Sequence, residues 1–351
     1  MSDFLREELK GRSAYGAPQI DVPVRLNTNE NSYPLPPEVA QAVMKAIEAE
    51  VTGLNRYPDR DAIALRADLA GYLGVPPEWV WAANGSNDIQ QQLLQAFAGP
   101  GRVALGFGPA YSMHPLLALG TATTWVDGGR GAEFELTAEH AAEQVRRHRP
   151  AVTFLCSPNN PTGTALPLEI AEAVLEQRQG IVVVDEAYAE FRRPGTLSAL
   201  SLLSGYPQLI VTRTMSKAFA FAGVRLGYMA ADPTIVEAVQ LVRLPYHLSA
   251  LTQAAARAAV AHTDALLAGV EAIKQQRDRI VESLRALGLA VADSDANFVL
   301  FGRFEDQKVV WRELLDRGIL VRDVGLEGWL RVTAGTPAET DAFLSAMKEL
   351  A

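Results

Sequence analysis

Lys217 stands in the run Thr212-Arg213-Thr214-Met215-Ser216-Lys217-Ala218-Phe219, with Ala220 and Phe221 beyond it. Hydroxyls, small residues and aromatics around a lone lysine are not the composition of a solvated face. Burial lowers an amine's pKa and leaves it neutral, the form that does covalent chemistry. Further on, Gly223-Val224-Arg225-Leu226-Gly227 adds one arginine to the same small-residue loop. Asp185 ends the apolar run 181–184 and leads into Glu186-Ala187-Tyr188. Such an aspartate either caps the next turn or aims its charge at a bound cation. Ser157-Pro158-Asn159-Asn160-Pro161-Thr162-Gly163 is a rigid loop, a plain turn or a binding loop, whose side-chain amides cannot all satisfy one another. Asn84-Gly85-Ser86-Asn87-Asp88 opens a helical pattern; it is either an anion site at a helix N-terminus or an ordinary N-cap by Ser86 or Asn87. There is no G-x-G-x-x-G or Walker A loop. His114, His140, His148, His247 and His262 show no ligand spacing with Cys or Glu, so no metal site is expected.

These residues need elements to bring them together. Between about residues 62 and 244, short apolar runs alternate with helical periodicity, the pattern of a mostly parallel sheet covered by helices. Strands are expected at 80–83, 103–107, 152–156, 181–184, 209–212 and 226–230, with helices such as 88–98 and 168–177 between them. The motifs follow these strands, and ligands of such sheets bind at the carboxyl ends of strands. From 249 to 287 runs an Ala-rich, nearly loop-free segment, one bent helix or two abutting ones. Beyond it, strands at 298–301, 320–323 and 330–333 alternate with helices around 309–316 and 337–350, a compact α+β module. Residues 1–34 are extended and Asn-rich and are expected to lie on the rest. The expected organisation is an arm (1–34), a large domain (35–248), a connecting helical region (249–287) and a small C-terminal domain (288–351) completed by the arm.

Composition narrows the class. The chain of 351 residues is 48% hydrophobic, enough for a sizeable core, and sets 32 Lys and Arg against 41 Asp and Glu, a net charge of −9. Both signs are interleaved, which is not the basic stripe of a nucleic-acid surface. The single Cys156 forms no internal disulfide, so a reducing cytoplasm is the expected location. No stretch reaches the ~18 apolar residues of a membrane span, and no targeting segment is seen.

In this order and at these spacings the motifs resemble the fold-type I, class I and II aminotransferases, which use pyridoxal 5′-phosphate. The resemblance covers essentially the whole chain: Asn160, then Asp185 and Tyr188 25 and 28 residues on, Lys217 32 after Asp185, and Arg225 eight later. It implies an α/β fold: a large cofactor-binding domain with a mostly parallel seven-stranded sheet between helices, and a smaller α+β domain. Lys217 would be the Schiff-base lysine that then shuttles the substrate's proton, and Asp185 would pair with the protonated ring nitrogen. Asn160 and Tyr188 would hydrogen-bond the ring's phenolic oxygen, and Tyr111, in Ala110-Tyr111-Ser112-Met113, would stack on the ring. Gly85, Ser86 and Asn87, closed by Thr214, Ser216 and Arg225, would hold the phosphate. Asn55-Arg56-Tyr57-Pro58-Asp59 matches the segment whose tyrosine comes from a second subunit, which implies a homodimer with Tyr57 acting in trans.

Within that family the chain is most similar to the histidinol-phosphate aminotransferases. The likeness is carried by Leu26-Asn27-Thr28-Asn29-Glu30-Asn31, the Tyr57 and Lys217 segments, Val321-Arg322-Asp323 and Leu330-Arg331-Val332-Thr333-Ala334-Gly335-Thr336. It implies ping-pong transfer of an amino group from histidinol phosphate to 2-oxoglutarate, giving imidazole-acetol phosphate and glutamate, a step of histidine synthesis. One pocket must then take a phosphate or a carboxylate in turn. By resemblance Arg331 is the main anion fork, Arg322 and Tyr15 sit beside it on the substrate phosphate, and Asn29, Asn160 and Asn297 line the same pocket. An aromatic-amino-acid aminotransferase or a threonine-phosphate decarboxylase-like enzyme would share the scaffold. A non-catalytic protein that binds the cofactor or an amine is the alternative from another class.

Overall fold

The computed structural model describes residues 4–350; residues 1–3 and 351, the outer ends of the expected arm and C-terminal module, lie outside them. A short strand β1 (Val24–Arg25) and two helices, α1 (Pro37–Val51) and α2 (Ile63–Leu73), come first. The strands β2 (Val80–Ala83), β3 (Val103–Gly106), β4 (Thr124–Asp127), β5 (Val152–Cys156), β6 (Ile181–Asp185), β7 (Leu209–Thr214) and β8 (Gly227–Ala231) then form one sheet in the order β2-β8-β7-β6-β5-β3-β4. The run from β4 to β7 is parallel, and β8 is antiparallel to both its neighbours.

Helices α3 (Ser86–Phe97), α4 (Met113–Gly120) and α7 (Pro233–Val242) bury one face against Trp81, Phe154, Val183 and Ile210. Helices α5 (Ala138–His148) and α6 (Leu168–Leu175) bury the other against Leu105, Val182, Val184 and Val211. Covered on both sides, β5, β6 and β7 hold no exposed residue, and their sequences therefore read as unbroken runs. The six strands expected in this sheet all form. The seventh, β4, is absent from the runs read in the sequence. It lies at the sheet's edge with no fully buried residue, so it lacks the apolar signal of the central strands.

The Ala-rich segment is two abutting helices, α8 (Ala250–Val260) and α9 (Thr263–Ala286). No glycine or proline marks the break. His262 Nδ1 bonds Ala258 O at 2.9 Å and Thr263 Oγ1 donates to Val260 O at 2.7 Å, side-chain bonds that compete with the helical ladder. The C-terminal part contains β9 (Ala290–Val291), β10 (Phe298–Gly302), α10 (Gln307–Asp316), β11 (Ile319–Leu320), β12 (Arg322–Asp323), β13 (Trp329–Thr333) and α11 (Pro337–Leu350).

The second sheet runs β12-β13-β10-β9 and is antiparallel throughout. The strand expected at 320–323 is split, because β11 pairs in parallel with β1 of the arm while β12 pairs with β13. Leu26 N donates to Leu320 O at 2.8 Å and accepts, through its carbonyl, from Thr333 N at 2.9 Å, so the arm continues beside the second sheet. The arm thereby reaches the carboxyl ends of β5, β6 and β7. No helix of the described residues is long and apolar enough to cross a membrane.

Candidate active site

A cavity of about 300 Å3 opens at those strand ends, between the large sheet, the arm and the second sheet. Lys217 lies three residues past β7 and its Nζ donates to the backbone carbonyl of Thr28 at 3.0 Å. Burial lowers the amine's pKa from 10.5 to about 8, the Arg331 and Arg225 charges push the same way, and Glu30 opposes them. The amine thus gives up its proton near pH 8, well below a free lysine, and faces the cavity.

Asp185 ends β6. Its Oδ1 accepts from the Ala187 amide at 3.1 Å and its Oδ2 from Gln90 Nε2 at 2.8 Å, with His114 Nε2 3.6 Å away. The sequence left a turn cap or a charge aimed at a bound cation; the carboxylate caps the turn at Ala187 and also lines the cavity. Opposite sits Tyr111, whose hydroxyl accepts from Asn87 Nδ2 at 3.3 Å; burial raises its pKa far above the usual phenol range.

The N-terminus of α3 is not capped by Ser86 or Asn87. Gly85 is the capping residue and no side chain caps the helix, so its first N–H groups face the cavity. Gly85 has φ +91°, and a Cβ there would come within 2.8 Å of Arg225 Nη2. The missing side chain therefore keeps a concave space between the helix end and the guanidinium. Ser216 Oγ, 3.5 Å from Arg225 Nη1, and Thr214 Oγ1, 3.0 Å from Ser216 Oγ, close it. Uncapped amides, two hydroxyls and a guanidinium form an anion cradle.

A second cationic patch lies on the second sheet. Arg331 of β13 and Arg322 of β12 are register partners. Arg331 donates to Asn160 Oδ1 at 2.6 Å and to Asn27 O at 2.8 Å, both neutral, and its Nε has no partner. Burial brings its pKa down to about 10, and the Arg322 charge adds to the effect. The Arg322 guanidinium lies 6.0 Å from the ring of Tyr15 at the cavity rim. Among the described residues, Lys217, Arg225, Arg322 and Arg331 make no salt bridge, although all four line the cavity. Four cationic side chains around one cavity leave it short of negative charge.

Between the two patches, Tyr188 Oη accepts from Asn29 Nδ2 at 3.0 Å and from Asn160 Nδ2 at 3.4 Å. Burial raises its pKa to about 12 while Arg331 and the Asn29 hydrogen bond pull it down, so the phenol keeps its proton.

Comparison with known proteins fits this arrangement. Residues 21–347 match the family aminotransferase class I and II. The chain belongs to this family. It is 64% identical to a histidinol-phosphate aminotransferase of Frankia casuarinae over 98% of this chain and 89% of that one. It is 60% identical to one from Thermobifida fusca over 98% of this chain and 94% of the other. Among solved structures, the histidinol-phosphate aminotransferase of Sinorhizobium meliloti in complex with pyridoxal-5′-phosphate superposes with a TM-score of 0.84 at 26% identity, covering 94% of this chain and 92% of that one.

In this aminotransferase the cavity gathers Gly85, Ser86, Asn87, Tyr111, Asn160, Asp185, Tyr188, Thr214, Ser216, Lys217, Arg225, Arg331, Arg322, Tyr15 and Asn29. Two expected residues lie elsewhere. Asn297 is fully buried one layer back, where its Nδ2 donates to Asn29 O at 3.1 Å; it supports the arm instead of lining the pocket. Tyr57 is 79% exposed and stacks on Tyr246 with ring centroids 4.2 Å apart, outside its own chain's cavity.

Gln90, His114, Thr333 and the Asn27 and Thr28 carbonyls were not read as site residues from the sequence. Gln90 and His114 sit on helices at positions that look like ordinary core or surface. The backbone carbonyls carry no residue signal at all. A glutamine among Ile89, Leu93 and Leu94, on the buried side of α3, is the one clue the sequence offered.

Proposed function

We propose that this aminotransferase moves the amino group of histidinol phosphate onto 2-oxoglutarate by a ping-pong mechanism, as a step of histidine synthesis. The observation that carries the reading is the pairing of Arg331 with Arg322, two guanidiniums without a carboxylate partner, on the cavity that also holds the buried amine of Lys217. A phosphate on one substrate and a second carboxylate on the other each supply the missing negative charge.

The cofactor is pyridoxal 5′-phosphate, and the donor set fits it. The cradle that a Cβ at Gly85 would fill suits its phosphate, and the unpaired Asn87 Oδ1 and Gln90 Oε1 leave buried polar capacity nearby. When bound, the group supplies an electron-withdrawing ring that takes up charge left at the substrate's Cα. Gly85, Ser86, Asn87, Thr214, Ser216 and Arg225 hold the phosphate. Asp185 would accept a hydrogen bond from the protonated ring nitrogen, Tyr188 and Asn160 would bind the ring oxygen, and Tyr111 would cover a ring face. Lys217 would anchor the cofactor and then, as an amine that burial makes easier to deprotonate than a free lysine, would accept and return the proton at Cα. Arg331 orients the anionic end of either substrate, Arg322 and Tyr15 sit beside it on the substrate phosphate, and Asn29 steadies the pocket wall.

Tyr57 serves the neighbouring subunit of a homodimer in this reading. Its exposed ring, stacked on the exposed Tyr246, is apolar surface that a second copy would cover. A reducing cytoplasm suits the single buried Cys156, and residues 35–248 and 288–350 are taken as the large and small domains.

The test is a half-reaction. Cofactor-loaded protein is mixed with histidinol phosphate or, separately, phenylalanine, and the loss of visible absorbance is followed as the amino form accumulates. Faster loss with histidinol phosphate supports the proposal. The reverse order makes the protein an aromatic aminotransferase, and no loss with either rejects transamination of both.

A further inference from the structure

Asn29 is held from three sides by residues far away in sequence. Its φ is +55°, a left-handed conformation that asparagine tolerates better than most residues. Its backbone N–H donates to Thr333 Oγ1 at 3.0 Å, and its carbonyl accepts from Asn297 Nδ2 at 3.1 Å. The Thr333 hydroxyl gives its one proton to Asn29 Oδ1 at 3.1 Å. That bond fixes which way the amide faces, because the oxygen end is occupied and the NH2 end must point to Tyr188 Oη. Asn160 is oriented likewise: Arg331 Nη1 donates to its Oδ1, leaving its NH2 for the same phenol oxygen. Tyr188 Oη thus receives two donors, which use both of its lone pairs. Among the described residues its own proton goes to no acceptor, and the ring lines the cavity.

We propose that Thr333 and Asn29 are positioning residues that make Tyr188 an obligate donor into the cavity, so that it gives its proton in a hydrogen bond to the cofactor's ring oxygen. The inference rests on the proposed placement of that oxygen beside Tyr188. Neither residue touches the reacting atoms; both act through the phenol. Without the Thr333 hydroxyl the Asn29 amide is free to turn its oxygen to Tyr188. The phenol proton would then point at Asn29, and the ring oxygen would lose its donor.

The decisive readout is the pH midpoint of the bound cofactor's visible absorbance, measured on holoenzyme without substrate. A ring oxygen deprived of its donor holds the neighbouring proton more tightly, so the midpoint rises. Tyr188→Phe should raise it by about one pH unit, and Thr333→Val by about 0.3 pH unit or more, at least a twofold change in proton affinity. Thr333→Ser, which restores the hydroxyl, should return the midpoint to the parent value. Adding Thr333→Val to Tyr188→Phe should move it no further. Asn29→Gly keeps the left-handed backbone and removes the amide, and serves if Thr333→Val does not fold; it should shift the midpoint in the same direction. A midpoint that moves with Tyr188→Phe but with neither Thr333→Val nor Asn29→Gly overturns the positioning role alone. A midpoint unmoved by Tyr188→Phe overturns the placement of Tyr188 and the positioning role with it.

Discussion

Arg322 and Arg331 face each other in register on adjacent antiparallel strands. Like charges directly opposite in a sheet destabilise it, and here no acidic side chain pairs with either. The arrangement calls for an anion between the two guanidiniums. Replacing Arg331 with Met should raise KM for both histidinol phosphate and 2-oxoglutarate by at least ~10-fold, the loss of a charge-assisted bond of about 1.5–3 kcal/mol. Arg322→Met should weaken histidinol phosphate more than 2-oxoglutarate. Steady-state kinetics with each substrate varied in turn separates the two; equal effects on both substrates from Arg322→Met would reject the division of labour.

Lys217 carries a prediction about pH. In cofactor-free protein its folded pKa, about 8, lies below the ordinary 10.5. Between these values the unfolded chain binds a proton that the folded chain does not, so this group's contribution to stability rises with pH across that window. Below about 8 both states are protonated and the cost of the buried charge is fully present. Lys217→Met should therefore melt above the parent at pH 7, with the difference shrinking towards pH 10. Thermal melts of the two apoproteins at several pH values decide it.

The proposed anchoring role of the same lysine carries a second prediction. Recombination of apoprotein with pyridoxal phosphate should quicken with pH up to about 8, as the neutral amine accumulates, and then level off. Lys217→Ala should abolish both the visible absorbance and transamination; a variant retaining either excludes the assignment.

Asp185→Ala should retain cofactor through the phosphate cradle yet slow removal of the substrate's Cα proton by ~100-fold or more, since the charge proposed to face the ring nitrogen is lost. Single-turnover absorbance traces measure this step, and near-parent rates would refute the role of Asp185.

Subunit complementation tests Tyr57. Mixed dimers of Lys217→Ala and Tyr57→Ala chains contain one site with both defects and one with neither if Tyr57 acts across the interface. Activity should then rise well above that of either variant alone. If Tyr57 serves its own chain, every site keeps a defect and mixing restores nothing.

Gly85 was legible in the sequence as a turn before a helix, but its importance is spatial. Its φ of +91° and the 2.8 Å approach of Arg225 Nη2 to a would-be Cβ come from two segments that only the fold brings together. The strand-end residues Asp185, Thr214 and Lys217 were readable because fully buried parallel strands leave continuous apolar runs that break where the site begins. The edge strand β4 lacked that signature, and the β11 to β12 break at Val321 arises from a change of partner that no local pattern encodes. Asn297 looked like a pocket residue by its neighbourhood and proved to support Asn29 from behind. Thr333 was part of a recognisable segment, yet its hydroxyl gains meaning only from a partner 304 positions away.

That separation bears on the order in which the molecule can assemble. The segment from Asn27 to Asn31 leaves the ribosome early, while β11 and β13, which fasten it, are made near the end of synthesis. The large sheet can form during translation, but the wall formed by the arm must wait, since the bonds to Leu320 and Thr333 close a loop of almost the full chain. Catalytic competence is therefore a late event in the life of each newly made copy, and a nascent chain stalled before β13 holds its lysine without the wall that completes the pocket.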